Sequence, residues 1–353
     1  VRAPTIYDLA ERAGVSIATV SRALNSKEGL SPATRERVFA AVEALGYVPN
    51  GTARGLSRRA TETIGIVVAT RSANEKPASE EQESLLFVDA VIRGAERSAQ
   101  RIGYALLLAS IRPRSGWDAA KNMISRTDGI VIVDRAVSEE AMAWLADRHP
   151  VAALAWETPK GKEMVIRIDN VGGTRMLVEH LVVEHGYKEL GIVRGPASSP
   201  DATVRWHAIE EAATELGARV VDTWIGDFSA ASGARIARSI GRSGAKPPRA
   251  LLCMNDQMAI GVLNVLAQEG LGVPNDVAVT GFDDIIVSRY LVPGLTTVRQ
   301  PSEELGEVAV DGLFQLIRGT PLETREVVLP TELIIRASCG CEQRPSPVAV
   351  AQV

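Results

Sequence analysis

Residues 5–25 read TIYDLAERAGVSIATVSRALN. Ile6, Leu9, Ala10 and Ala13 recur at helical spacing behind Thr5, a residue type that caps helix N-termini, and Gly14 ends the run. Only Val15 and Ser16 separate this helix from a second, Ile17 to Leu24. Further on, Ser31-Pro32 reads as a cap followed by a proline in the first turn. Val38, Ala41, Val42 and Leu45 give the apolar face of a third helix that stops at Gly46. Three short helices with a tight turn between the first two define a helix-turn-helix unit.

The second helix carries the chemistry. A helix laid in the major groove needs small and polar residues outward, so that its backbone approaches base edges, and a long cation that donates two hydrogen bonds to guanine. Ser16, Ile17, Ala18, Thr19, Ser21 and Arg22 meet that demand, while Val15 and Val20 face inward. Charge agrees with this reading. Residues 1–60 hold nine basic and five acidic side chains, a net +4, whereas the chain as a whole is −4 and the remainder −8. A basic head on an acidic body points to one end that meets a polyanion and a larger part with another task.

Residues 50–61, NGTARGLSRRAT, hold two glycines and three arginines and read as a linker. Beyond them short apolar runs alternate with helical stretches: Ile64–Val68, Ala105–Ala109, Gly129–Val133, Val151–Ala155, Val165–Ile168, Leu190–Val193, Ala250–Cys253 and Val277–Thr280. This alternation predicts an α/β body built on doubly wound parallel sheets. About 280 residues exceed what one such sheet uses, so the body divides into two lobes. The expected organisation is a head at 1–49, a linker at 50–61, a core at 62–340 and a disordered tail at 341–353. Lobe 1 takes 62–168 and 297–324, and lobe 2 takes 169–296 and 325–340. The chain is expected to cross between them at Asp169-Asn170 and near Leu295–Val298.

Composition excludes several classes. At 353 residues, 46% hydrophobic and 23% charged, the chain can bury a real core. It has no apolar run of membrane-span or signal-peptide type, so neither membrane insertion nor secretion is expected. Three cysteines, an odd number, make no disulfide framework and fit a reducing cytoplasm. No phosphate-binding P-loop, G-x-S-x-G elbow or H-E-x-x-H is present, so neither an enzyme nor a cofactor is expected. The histidines at 149, 180, 185 and 207 show no metal-ligand spacing; His180 and His185, five apart, would not share an α-helical face. No metal site is expected.

The head sequence, with SPATRERV and LGYVPN after it, resembles the LacI family of bacterial transcriptional repressors. HGYKELGIVRGP (185–196), MNDQMAIG (254–261), VAVTGFDD (277–284) and TTVRQP (296–301) resemble that family's effector-binding core, itself similar to periplasmic sugar-binding proteins. The resemblance spans roughly residues 4–337. It implies that Ile17, Ala18 and Arg22 face bases, and that Thr5, Tyr7, Ser16, Thr19, Ser21 and Asn25 mainly contact phosphates. It also implies a hinge helix from Asn50 to Arg58, with Ala53 and Leu56 meeting the minor groove. Gly51 and Gly55 weaken that helix by roughly 1 kcal/mol each, so it should order only on DNA.

In the core, the resemblance implies an effector held by Arg205, Asp283 and Asn255, with Glu157 and Phe228 beside it. Thr70, Trp156 and Trp206 are weaker candidates. Arg donates in a planar fork, Asp accepts from hydroxyls and Asn does both, which suits a sugar or sugar derivative. Purine co-repression or control by a partner protein remains open. The chain departs from the family pattern at Ala208, where many relatives carry glycine, and at Trp206-His207, so the ligand's fit there should differ. Asp256 and Asp284 are read as structural. The expected protein is a homodimeric, cytoplasmic repressor on a pseudo-palindromic operator, since the tail lacks the leucine heptad of a tetramer. The alternative is a solute-binding protein of a transport system without a DNA role.

A leucine wedged between base steps offsets its unstacking cost by wider contact with bent DNA. Leu56→Ala is therefore expected to lower operator affinity several-fold in an anisotropy titration and leave ligand binding unchanged; equal operator affinity would remove Leu56 from the interface.

Overall fold

The structure, a computed structural model, describes residues 4–25, 30–47, 60–69, 86–111, 118–133, 136–156, 159–242 and 246–341. The chain divides into two compact units, 1–61 and 62–353. In the first unit, α1 (Ile6–Ala13), α2 (Ile17–Asn25) and α3 (Pro32–Leu45) follow the capping signals of the sequence. Thr5 and Asp8 form a reciprocal capping box: the Thr5 amide donates to the Asp8 carboxylate at 2.6 Å, and the Asp8 amide donates to the Thr5 hydroxyl at 3.4 Å. Gly14 and Gly46 end α1 and α3 in the left-handed region, at φ +64 and +59. Leu9, Ala10, Ala13, Val20, Ala23, Val38, Ala41 and Tyr47 make the buried core that holds the three helices.

The second unit contains two six-stranded sheets. The first is built from β1 (Thr63–Ala69), β2 (Ala105–Ile111), β3 (Gly129–Val133), β4 (Val151–Leu154), β5 (Met164–Ile168) and β11 (Glu326–Leu329), in the order β11-β5-β4-β3-β1-β2. The second uses β6 (Glu189–Arg194), β7 (Arg219–Ile225), β8 (Ala250–Cys253), β9 (Ala278–Asp283), β10 (Thr296–Arg299) and β12 (Glu332–Ile334), in the order β12-β10-β9-β8-β6-β7. All pairings are parallel except β10 with β12. The central strands are buried on both faces, which is why their sequences are unbroken apolar runs.

Two lobe boundaries differ from expectation. Thr296–Arg299 is not a crossing but a strand of the second sheet, with Thr296, Thr297 and Val298 buried against β9, so the chain crosses at Gln300-Pro301. Glu326–Leu329 belongs to the first sheet rather than lobe 2: it pairs with β5, and Arg167 donates to Glu326 at 2.7 Å, so the last crossing follows Leu329. The strands at 219–225, 326–329 and 332–334 carried no apolar run because they lie at sheet edges and are only partly buried.

Glycines set the closest helix crossing in each lobe. Helix α4 (Leu86–Ile102) lies against α11 (Ser302–Ile317), where a Cβ on Gly94 would sit 1.8 Å from the Glu303 carbonyl oxygen and one on Gly306 2.0 Å from that of Val91. In the second lobe Gly233 and Gly261 make the same backbone-to-backbone approach. Because both sides of each contact are backbone, no rotamer change relieves a clash. Gly306→Ala is expected to lower unfolding free energy by about 1–3 kcal/mol or more, read from urea titration; unchanged stability would show that the helices can part without cost.

Candidate functional site

On α2 the residues expected to meet DNA lie outward. Ser16, Ile17, Ala18 and Arg22 are exposed, Thr19 and Ser21 are half-buried, and Val20 is fully buried. Ile17, Ala18, Ser21 and Arg22 share one helical face by their spacing. Ile17 leaves 41% of its surface in solvent and Tyr7, on α1, 68%: neither is used by the head's own core. Ser16 caps α2, accepting from the Thr19 amide at 3.2 Å. The side chain of Asn25, and all of Asn50, Ala53 and Leu56, lie outside the described residues.

In the core, a crevice at the carboxyl ends of the second sheet follows from its strand order. The chain goes from β6 outward to β7 and then back to β8 on the other side of β6, and the loops after β6 and β8 diverge at that switch point. Helix α8 (Pro200–Glu215) brings Arg205 there. Its guanidinium is buried, with Nε donating to Asn170 Oδ1 at 2.7 Å and Nη1 to the Met254 carbonyl at 2.7 Å, and it lies 3.5 Å from the Phe282 ring centroid. Asn170 in turn donates to Asp201 at 2.9 Å, whose carboxylate is 3.8 Å from Arg205 Nη2. Burial pulls the Arg205 pKa below its ordinary value, and the charges of Asp201, Asp283 and Asp256 oppose that pull.

Asp283 ends β9 at the same edge, with φ +120, and accepts from Gln300 Nε2 at 2.6 Å. Burial pushes its carboxyl well above the usual range, while Arg205 acts to lower it. A buried cation and a buried acid of raised pKa, near enough to influence each other, form a site that hydroxyl groups of a ligand can satisfy on both sides. Phe228, at φ +70, stands over Gly195, where a Cβ would come 2.2 Å from its ring. Arg194 stacks on Trp206 at 4.0 Å, and both Arg194 Nε and Trp206 Nε1 are buried without a hydrogen-bond partner among the described residues. These two donors are the polar groups here that the fold leaves unsatisfied.

Asn255 is more committed than expected. Its Oδ1 accepts from the Met258 amide at 3.0 Å, capping α10 (Asp256–Gln268), and its Nδ2 donates to the Phe228 carbonyl at 2.9 Å. One N–H and one lone pair remain for a ligand. Asp256 and Asp284 are structural: Asp256 accepts from Ile285 N, Ser288 and Thr297 at 3.0, 2.6 and 2.5 Å, and Asp284 is held by Arg299 and Arg336 at 2.8 and 2.5 Å. Thr70 and Glu157 lie outside the described residues, and Trp156 packs into the core of lobe 1. Ala208 is buried in α8. The sequence missed Asn170, Asp201 and Arg194. Asn170 is the first residue after the Asp169 helix cap and Asp201 the second after the Ser199 cap, and only those positions could have marked them. Asp283 also lines a cavity of about 300 Å³ together with Phe87, Arg93, Asp284, Arg289 and Glu303.

The expectation that His180 and His185 do not share a face fails. The helix α7 (Asn170–Glu179) continues into a π-helical turn, His180–Glu184, whose wider period aligns residues five apart, and their Nε2 atoms come within 3.2 Å. Cys339 and Cys341 meet them there, so four residues of metal-binding type converge where none was expected.

Comparison with known proteins agrees with this geometry. Residues 5–50 match the family described as bacterial regulatory proteins, lacI family, and residues 178–339 a periplasmic binding protein-like domain. The HTH-type transcriptional repressor PurR of Vibrio parahaemolyticus is 32% identical over 342 residues, covering 94% of this chain and 97% of the relative. PurR of Escherichia coli O139:H28 is 32% identical over 346 residues, covering 95% and 96%. Among solved structures, the lac repressor dimer bound to operator and the anti-inducer ONPF superposes with a TM-score of 0.81 at 30% identity, covering 96% of this chain and 99% of that one. The complex of the transcriptional regulator CelR with cellobiose gives 0.68 at 28%, covering 95% and 99%. The chain belongs to the LacI family: it is a DNA-binding transcriptional regulator with a helix-turn-helix head and a core of periplasmic-binding-protein type. A transport protein without a DNA role does not account for the match of the head. Among the described residues no helix is long and apolar enough to cross a membrane.

Burial pushes the Asp256 carboxyl from 3.8 to about 7 despite its three donors. A pKa raised on folding contributes stability that is full below the unfolded value and lost as pH rises through the folded one. The thermal midpoint is expected to fall as pH is raised from 3.8 to about 7 and to level off above that, with Asp283 acting in the same direction. Asp256→Asn should flatten that slope; an unchanged pH profile would remove Asp256 as its source.

Proposed function

We propose that the protein is a homodimeric repressor in the bacterial cytoplasm that binds a pseudo-palindromic operator and is controlled by a sugar or sugar derivative held in the core crevice. The observation that carries the ligand class is the buried Arg205, seated on Phe282 beside Asp283 at the strand ends that flank the switch point. Hydroxyls on neighbouring carbons accept from the Arg205 fork and bond to Asp283. Phe228 and the Arg194–Trp206 stack offer faces for the apolar side of a ring, and their orphaned N–H groups gain acceptors. Two relatives support this reading, the lac repressor dimer on its operator and CelR with cellobiose. No catalytic role is proposed.

The mechanism is a coupling of two equilibria. Ligand that binds one arrangement of the lobes better than the other shifts the dimer between a state that lets the 50–58 segments order on DNA and one that does not. One head alone makes too few contacts for specific binding at physiological salt. Ile17 and Ala18, apolar and exposed, would read thymine methyls and shape, while Arg22 reads guanine.

A thermal-shift screen over mono- and disaccharides, sugar phosphates, nucleosides and purines tests the ligand class. Ligand at about a hundred times its dissociation constant adds about 2.7 kcal/mol of stability, and a shift confined to one sugar class is expected. A shift with purines alone would overturn the sugar assignment while leaving the DNA-binding reading intact. With the effector in hand, Asp283→Ala is expected to keep basal operator affinity and lose the ligand response in an anisotropy assay; a normal response would remove Asp283 from the site.

A further inference from the structure

The second lobe carries a group of side chains that neither DNA binding nor the effector crevice uses. His180 and His185 flank the π-helical turn at the end of the helix that begins at Asn170, and Cys339 and Cys341 arrive from the last turn of the chain's described part. All four donor atoms lie within 4.8 Å of one another. His180 Nε2 is 3.2 Å from His185 Nε2, 3.4 Å from Cys339 Sγ and 3.6 Å from Cys341 Sγ, and Cys341 Sγ is 3.4 Å from His185 Nε2.

These separations have a simple reference. A tetrahedral zinc ion with bonds of about 2.0–2.1 Å to imidazole nitrogen and about 2.3 Å to thiolate requires N···N edges of about 3.3 Å and N···S edges of about 3.6 Å. These four edges fall within about 0.2 Å of those values, and the four ligand atoms all stay within 4.8 Å of one another. Cys339 Sγ also donates to the Arg336 carbonyl at 3.3 Å, a bond that its thiolate would give up on taking a metal.

The surrounding chain is shaped to the same end. An ordinary α-helix would turn His180 and His185 apart; the π turn turns them together. Gly340, between the cysteines, has φ +114, and a Cβ there would come 3.0 Å from Tyr187 Oη and 3.2 Å from His185 Nδ1. Tyr187 stacks on the His185 ring at 5.3 Å and donates to the Cys339 carbonyl at 3.0 Å, fixing both ligand-bearing segments. His180 and Cys339 are buried, and His185 and Cys341 are half-buried, so an ion can enter from one side.

We propose that His180, His185, Cys339 and Cys341 form a Cys2His2 site for a zinc ion that pins the 337–341 segment to the end of the 170–184 helix. Four protein ligands close the coordination sphere, which marks a structural rather than catalytic ion, and two thiolates with two imidazoles favour zinc over calcium or magnesium. The site joins parts of the chain about 160 residues apart, so loading it adds the metal's binding energy to the stability of the lobe.

The full chain, purified under reductant and stripped with chelator, is titrated with Co2+ as a spectroscopic probe and then with Zn2+. One equivalent of Co2+ should give the visible bands of a tetrahedral site and a near-ultraviolet thiolate-to-cobalt band; Zn2+ should bleach both and raise the thermal midpoint. Cys341→Ala and His185→Ala, at the half-buried positions where folding is least disturbed, should each weaken zinc binding at least tenfold and abolish the zinc-dependent rise. A wild-type chain that gives no tetrahedral cobalt spectrum, or variants that bind zinc as tightly as wild type, would overturn the proposal.

Discussion

A guanidinium taken out of water governs how the core is built. Arg205 keeps its charge at any pH a cell meets, so burying it costs several kcal/mol unless partners replace its hydration. The fold supplies those partners from three segments: Asn170 at the start of one helix, the Met254 carbonyl after β8, and Asp201 one turn earlier on its own helix. The Phe282 ring beneath adds a cation–π contact. Asp283, held by Gln300 at the crossing into lobe 1, adds a buried acid whose charge the guanidinium favours. A crevice whose floor is built of buried polar groups already hydrogen-bonded to one another would be prepared to exchange some of these bonds for the hydroxyls of a ligand.

The same floor connects to the parts of the molecule that must respond. Gln300 binds Asp283 and lies two residues before the helix whose glycine packs it against α4 in lobe 1. Asn170 follows Asp169, whose amide donates to the Leu329 carbonyl and whose own carbonyl accepts from Thr331, so two of the three crossings are tied to each other. The side chains that hold Arg205 and Asp283 thus lie at the crossings between the lobes. In the proposed mechanism, a change in how Arg205 and Asp283 are satisfied would reach the crossings through a single hydrogen bond each.

How much of this was legible in the sequence depended on how local the cause was. The head could be read nearly to the residue, because Thr5, Gly14, Ser31-Pro32 and Gly46 are caps whose chemistry lies within four residues of the backbone they serve. Central strands were legible as apolar runs; β7, β11 and β12 were not, since a half-exposed edge strand need not be apolar. Arg205 and Asp283 were named through family resemblance, and their surroundings were not, because Asn170 lies 35 residues from Arg205 in the chain. The His–Cys cluster was hidden twice over: its halves are about 160 residues apart, and a π turn changes the period by which helical neighbours are judged.

The central claim is that ligand in the crevice and DNA on the head are coupled. The most direct test selects a duplex from a random pool with the full-length protein, labels it, and follows its anisotropy at fixed salt with and without the sugar that stabilises the core. A change in operator affinity of about 5- to 150-fold, absent with a scrambled duplex of equal length, is the result this account requires. Tight sugar binding that leaves the affinity for the selected duplex unchanged would contradict it.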